Sequence, residues 1–422
     1  MRVKRDVLLL CQFFYPEYNS SATLPWDTAR YLAACGFQVG ALCGRPKEYN
    51  DQGTVPLRQE REGVTIRRLP YLQLKRGKKM ARLINYFSFT GAVVRHIGIF
   101  RRYRAVIVYS NPPILPAAAL LAKRLFGVKI IYVSYDVYPE VAYASGSLRK
   151  GGIIAKAMGW LNGRLFRQLE VAVTLTGEMR DFLLEKRPEL TPRKAVVIPN
   201  WAHEEESRCQ TQAEKLRASM GIERETFVIS YFGNMGICQD MDTMMEAAEL
   251  LKKDRHILFF LAGHGGKYQQ VSDWAEKMPN VRVQRFLTGD EFLNALEISD
   301  CGLVSLQPGL KGTCAPSKYY SYLCAGIPVI SITEPGSYLM QEIGREEIGR
   351  AVTVHDSTAL AAAIAEVARR RELCREMGRR AQRLYMKKYQ REKCLGEYAR
   401  LVGKAVEKDS EHRYHSDYSY EK

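Results

Sequence analysis

Short apolar runs alternate along this chain with longer stretches whose apolar positions recur every three or four residues, a strand-then-helix rhythm. In the first half, residues 6–14, 37–43, 64–70, 105–110, 129–136, 171–176 and 195–201 read as strands, and residues 24–35, 115–126 and 178–186 as helices. The order predicts an α/β fold with a doubly wound parallel sheet, whose ligands lie beyond the carboxyl ends of the strands. The polar, Glu-rich stretch HEEESRCQTQAEK (203–215) reads as a linker. The rhythm then restarts, with strands expected at 226–233, 256–263, 281–286 and 301–306 and helices between them. Two facing Rossmann-like domains are expected at 1–203 and 204–390. A helix at 391–408 is expected to cross back between them, followed by a polar, disordered tail at 409–422.

Four stretches carry candidate chemistry. In APSKYYSYLCAGIPVI (315–330), Pro316 and Ser317 suit a helix start, where unpaired N–H groups and the helix dipole favour an anion, and Lys318 adds a charge in the first turn. A diphosphate fits there; so does an ordinary αβ connection with a surface lysine. The turns GNMG (Gly233, Asn234, Gly236) and GHGG (Gly263, His264) directly follow strands, as sugar- and phosphate-binding loops do, although glycines at strand ends are common and His264 alone is an ordinary surface residue. In YPEYNSSA, Asn19, Ser20 and Ser21 form a small-residue loop at a helix start, suited to covering a phosphate or simply to capping the helix. In YDVYPE, Asp136 and Glu140 stand at the sheet's carboxyl edge, placed to orient or deprotonate sugar hydroxyls, or else to cap a turn and begin a helix.

Charge sharpens this picture. Residues 1–200 carry 32 Lys and Arg against 14 Asp and Glu, whereas residues 201–422 carry 31 against 32, so the first half holds all of the +17 excess. Residues 63–135 contain fourteen basic side chains and no acidic one, which points to an anionic partner. Within that run Met80, Leu83, Ile84, Phe87, Ala92 and Val93 can share one face of a helix flanked by Lys75, Arg76, Lys78, Lys79 and Arg82, the pattern of a helix docked on an anionic membrane surface. A core helix with a solvated basic rim is the other reading. Nucleic acid would also explain the charge, but no recognition motif accompanies it. An apolar content of 46% with 26% charged residues excludes a disordered chain, and the most apolar stretches are interrupted by Arg95 and His96 or by Asn111-Pro112-Pro113, so no transmembrane helix is expected. Ten scattered cysteines without zinc spacing and the lack of a signal peptide point to a reducing cytoplasm.

Taken in order, YPE from Tyr15, NPP from Asn111, DVYPE from Asp136, IPNW from Ile198, GNMGICQDMDT from Gly233 and PSKYYSYLCAGIPVI from Pro316 resemble the family 4 glycosyltransferases over about residues 6–400. Within it they look most like the bacterial surface-polysaccharide branch that transfers aminosugars. The resemblance implies a GT-B fold, a nucleotide sugar held mainly by the second domain and an acceptor by the first, and retention of configuration without a metal or other cofactor. It implies a UDP-linked donor, a polyprenyl-diphosphate-linked acceptor and a cytoplasmic enzyme bound peripherally to the anionic inner membrane, with no nucleic-acid partner. At the positions where the family carries an Arg and a Lys on the donor diphosphate this chain has Asn234 and Gln239; at its two donor glutamates it has Thr313 and Ser321; and Tyr135 replaces the usual His. Lys318 is therefore expected to supply much of the charge for the diphosphate. A nucleotide-sugar 2-epimerase shares the architecture and is the main alternative, a basic nucleic-acid-binding protein the lesser one.

Overall fold

The computed structural model describes residues 4–46, 53, 55–74, 79–202 and 210–406. Its first sheet contains β1 (Arg5–Leu10), β2 (Val39–Gly44), β3 (Arg58–Arg61), β4 (Val64–Leu69), β5 (Tyr103–Tyr109), β6 (Lys129–Ser134), β7 (Val171–Thr174) and β8 (Ala195–Val197), in the order β3-β4-β2-β1-β5-β6-β7-β8. Only the edge strand β3 runs antiparallel to its neighbour. The second sheet contains β9 (Phe227–Asn234), β10 (Ile257–His264), β11 (Val281–Arg285), β12 (Cys301–Ser305), β13 (Val329–Thr333) and β14 (Gly349–Thr353), all parallel, in the order β11-β10-β9-β12-β13-β14.

Helices cover both faces of each sheet, so the strands are apolar at successive positions instead of alternating with polar ones. Val7 and Leu9 enter one core while Leu8 and Leu10 enter the other, and in the second sheet Phe227 and Ile229 alternate in the same way with Val228. Strand order reverses direction between β1 and β5 and between β9 and β12; crevices open at such switch points, beyond the carboxyl ends. Here the two crevices face each other, and the chain segments that leave β6 and β12 touch across the gap at an isolated bridge between Asp136 and Cys314.

After the second sheet the chain returns to the first. A single π turn, Tyr385–Tyr389, leads into the helix Arg391–Val406, which buries Cys394, Leu395, Tyr398 and Val402 in the first domain's core beside Trp201. The Trp201 indole donates to Asp27 Oδ2 at 2.9 Å, and the Ala202 N–H donates to the Tyr385 hydroxyl at 3.2 Å, so the crossover between domains is bonded to both. Glu342, buried, accepts from the Tyr319 hydroxyl at 2.7 Å, the Tyr389 hydroxyl at 2.5 Å and Lys388 Nζ at 2.5 Å. A buried carboxylate needs this much satisfaction to be tolerated. The network ties the helix Lys318–Ala325 to the returning segment.

Three helices stand where none was expected. Gln210–Ser219 occupies the end of the presumed linker, Tyr338–Arg345 joins β13 to β14, and Ile153–Gln168 joins β6 to β7. The last begins after Gly151-Gly152 and carries Gly159 and Gly163 inside it, which weakens a helical signal read from propensity alone. The tail at 409–422 lies outside the described residues.

Candidate active site

The glycine turns meet because their backbones interlock. A Cβ at Gly263 would lie 1.8 Å from the Gly233 carbonyl oxygen, and Gly233 itself has φ +128°, so neither position accepts a side chain. The Met235 N–H donates to the His264 carbonyl at 2.6 Å, and the Lys267 N–H donates to the Met235 carbonyl at 2.8 Å, holding the two turns as one surface. His264 packs its ring edge-on against Phe286 at 4.8 Å, and Phe286 stacks on Tyr18 of the first domain at 5.9 Å. Gln239 folds back on its own loop: its Oε1 accepts from the Gly236 N–H at 3.0 Å and from Asn234 Nδ2 at 3.3 Å. These two polar residues thus brace the turn.

Lys318 stands behind that turn. Its Nζ lies 3.3 Å above the centre of the Tyr231 ring, and its side chain runs beside Gly233. Tyr231 is fully buried and donates its hydroxyl to the Asn234 carbonyl at 2.6 Å, which fixes the ring under the ammonium. No acid pairs with Lys318 among the described residues, and burial pushes its pKa well below the usual lysine range. Among the described residues the ammonium thus rests on a ring face in place of a carboxylate.

Two helix starts converge beside it. Ser20, the first residue of the helix Ser20–Ala34, donates its hydroxyl to Ser317 Oγ at 3.3 Å; Ser317 precedes the helix Lys318–Ala325. Asn19, at the N-cap of the first helix, makes no capping bond, and both polar atoms of its carboxamide are buried without a partner. Ser21 follows, half-buried. The two helix starts, one led by the Asn19 N-cap and the other carrying Lys318 in its first turn, thus meet at the Ser20–Ser317 contact.

Asp136 is the acid left available at the cleft. It follows β6, its N–H donates to Ser110 Oγ at 3.2 Å, and no cation pairs with its carboxyl among the described residues; burial pushes its pKa up to about 6. Its charge is near enough to raise the thiol pKa values of Cys238 and Cys314 in the second domain, after burial itself, the former to about 11.

Four other expected residues are placed as follows. Glu140 is not free to meet a substrate, because Arg187 takes both its oxygens, Nη1 to Oε1 at 2.8 Å and Nη2 to Oε2 at 2.6 Å, while Nη2 also donates to the Tyr138 carbonyl at 2.9 Å. It clamps the loop that carries Asp136. Thr313 is buried, and its hydroxyl donates to the Leu310 carbonyl at 2.8 Å; its own carbonyl accepts from the Val137 N–H at 2.7 Å across the domains. Ser321 lies half-buried one turn beyond Lys318, inside the helix and away from its N-terminus. Arg82, expected at a membrane face, is half-buried and near enough to Tyr138 and Cys238 for its charge to draw both their pKa values downwards, against the larger effect of burial. Lys75, Arg76 and Lys78, and the side chain of Lys79, fall outside what the structure describes. On the same helix, Lys79–Arg95, Val93 is buried in the core, whereas Met80, Ile84, Phe87 and Val94 are exposed. No helix among the described residues is long and apolar enough to cross a membrane.

Glu178 went unrecognised in the sequence. From the helix Gly177–Lys186 of the first domain it accepts from the Gly312 N–H at 3.1 Å and the Tyr338 N–H at 3.0 Å of the second. With the Val137 to Thr313 bond, it latches the loop that leads into Lys318. Charge-assisted bonds of this kind contribute about 1.5–3 kcal/mol each. Glu178→Ala is therefore expected to raise the donor KM tenfold or more and to enlarge the radius of gyration in small-angle scattering, while Glu178→Gln, which keeps an acceptor, falls between.

Two facing, helix-covered parallel sheets with a cleft between their carboxyl ends are the architecture of transferases of the GT-B type. Residues 22–201 match the glycosyl transferase 4-like domain and residues 212–384 the glycosyl transferases group 1 domain, between them most of the chain. The chain belongs to the two-domain, family 4-like glycosyltransferases. It is 27% identical to the probable glycosyltransferase WbjE of Pseudomonas aeruginosa over 70% of this chain and 72% of that one. It is 23% identical to the putative colanic acid biosynthesis glycosyl transferase WcaI of Escherichia coli strain K12 over 74% of this chain and 79% of the relative. Among solved structures, Anabaena HepE in complex with UDP and glucose superposes with a TM-score of 0.71 at 12% identity, covering 95% of this chain and all of that one.

Proposed function

We propose that this glycosyltransferase moves an aminosugar from a UDP-linked donor to a polyprenyl-diphosphate-linked acceptor in bacterial surface-polysaccharide synthesis, with retention of configuration. The observation that carries the reading is Lys318, a buried ammonium that pairs with no acid among the described residues and stands in the first turn of a helix whose start meets that of Ser20–Ala34. In that position the donor diphosphate would complete the cation's pairing. As the sugar–phosphate bond breaks, negative charge grows on the leaving diphosphate, and Lys318, the helix N–H groups and the Asn19 amide would stabilise it in place without reorganising. Asp136, which pairs with no cation among the described residues and faces the second domain, is the residue suited to orient an acceptor hydroxyl and receive its proton. Closure through Glu178 and the Thr313 segment excludes water, which limits hydrolysis of the donor.

Two comparisons support the reading: the relative WcaI is named for colanic acid biosynthesis, and the structural neighbour HepE was solved with UDP and glucose. The reading predicts that, in a panel of nucleotide sugars, a UDP-aminosugar raises the melting temperature by several degrees at saturating concentration, because a ligand bound only by the folded state stabilises it. Incubation with an undecaprenyl-diphosphate-linked sugar should then yield a product whose anomeric configuration, read by NMR, matches the donor. A protein stabilised by no nucleotide sugar would sink the donor assignment; inversion would sink retention.

A further inference from the structure

Residues 141–169 contain five basic side chains, Arg149, Lys150, Lys156, Arg164 and Arg167, and no acidic one. Most of the stretch is the helix Ile153–Gln168, whose inner face buries Ala155, Met158, Leu161, Leu165 and Phe166. Its outer face mixes cations with large apolar side chains. Ile153 is 89% exposed, Ile154 52% and Trp160 62%, with Ala157 and Gly159 exposed between them. Positions 153, 157, 160 and 164 fall on one stripe, and the Arg164 guanidinium lies 4.3 Å above the Trp160 ring. Singly exposed apolar residues need no explanation, but three large ones within two turns, ringed by cations, mark a surface that meets something.

We infer that this helix is a membrane-docking element that seats Ile153, Ile154 and Trp160 in the interface of an anionic phospholipid bilayer. The inference rests on the proposed lipid-linked acceptor. Charge decides the occupant. A second copy of this chain would bring its own five cations against these five across a symmetric contact, whereas anionic headgroups complement them. Trp and Arg suit the headgroup level and the isoleucines the depth just below it. The location also fits the reaction. Asn162 Nδ2, on the same helix, donates to the Tyr138 carbonyl at 2.8 Å, two residues from Asp136, and Arg82 of the helix Lys79–Arg95 approaches Tyr138. The exposed stripe of Met80, Ile84, Phe87 and Val94 belongs to that other helix. The Asp136 loop is therefore bonded to this helix and lies near the other, which also presents an apolar surface. Binding through both would fix the cleft's height and tilt over the bilayer that holds the acceptor.

The test is cosedimentation of full-length protein with phosphatidylglycerol–phosphatidylethanolamine vesicles, compared with phosphatidylcholine vesicles. Ile153→Ser combined with Trp160→Ser, and separately Lys156→Glu combined with Arg164→Glu, are expected to lower partitioning into anionic vesicles tenfold or more. Their thermal shift with a UDP-sugar should stay unchanged, since both pairs lie outside the donor site. Trp160 is the most exposed of the four tryptophans, so wild-type emission should shift to the blue and iodide quenching should fall when anionic vesicles are added. Undiminished vesicle binding by both variants, loss only on changing Phe87 and Ile84, or protection of Trp160 through self-association in sedimentation velocity would each overturn the inference. None of these results bears on donor binding, which the thermal shift reads separately.

Discussion

Replacing Lys318 by methionine is expected to lower kcat about 100- to 1,000-fold, the usual consequence of removing one donor from charge developing in a transition state. The same variant should unfold at a higher temperature than the wild type when no ligand is present. The reason is the cation's surroundings: it is buried, it has only the Tyr231 ring beneath it, and its folded-state pKa is depressed. A lysine whose pKa falls on folding binds its proton less tightly in the folded chain. Its charge therefore weakens the empty protein at neutral pH, and that cost is relieved only as pH rises through the interval between the folded and unfolded pKa values. Methionine has a similar length and no charge to desolvate. The two effects should separate cleanly: UDP-sugar should raise the melting temperature of the wild type much more than that of the variant. Wild-type turnover in Lys318→Met, or a ligand shift of equal size, would remove the lysine from the donor site.

Asp136→Asn is expected to lower kcat at least about 100-fold, within the range that a positioned acid or base contributes. Its pH behaviour is the stronger test. Burial holds the carboxyl's pKa at about 6, above the value of about 3.9 in an unfolded chain. The folded protein thus binds this proton more tightly than the unfolded one, and stability declines as pH rises from about 4 through 6. The ionised form is the one able to accept a hydroxyl proton, so kcat/KM should climb through pH 6 and level above it. In Asp136→Asn the climb should vanish, and the melting temperature at pH 8 should equal or exceed that of the wild type. A variant that keeps the same pH profile would show that another group titrates.

The parts of this picture legible in the sequence are those set by local chemistry. Alternating apolar runs define strands buried on both faces, glycine marks turns that need backbone approach, and a Pro-Ser-Lys start with a following glycine bounds a short helix. Lys318, the Gly233 and Gly263 turns and the Ser20 helix start could be found that way, and the structure brings them to one cleft. What was not legible depends on contacts distant along the chain. Glu178 reaches a main-chain N–H 134 residues away, and the Arg187 that occupies Glu140 lies 47 residues from it. Neither partner is marked by spacing or composition. The placement of Arg82 could not be read either, because its helix has apolar residues on two faces, one in the core and one outside, and periodicity alone does not say which face turns inward. The helix Ile153–Gln168 escaped notice because its glycines mask it, although the absence of acids from residues 141–169 was visible in the sequence.

The return of the helix Arg391–Val406 to the first sheet has a practical consequence for recombination between relatives. A chimera joined once, near residue 202, would pair the acceptor half of one parent with a C-terminal helix evolved against another parent's β1 and β5. Val402 and Tyr398, both within that core, would then meet foreign neighbours, and close-packed interiors tolerate such mismatches poorly. Exchanges intended to move acceptor preference from one enzyme to another should therefore use two junctions, one near 202 and one near 390, so that the final helix travels with the half whose interior it completes.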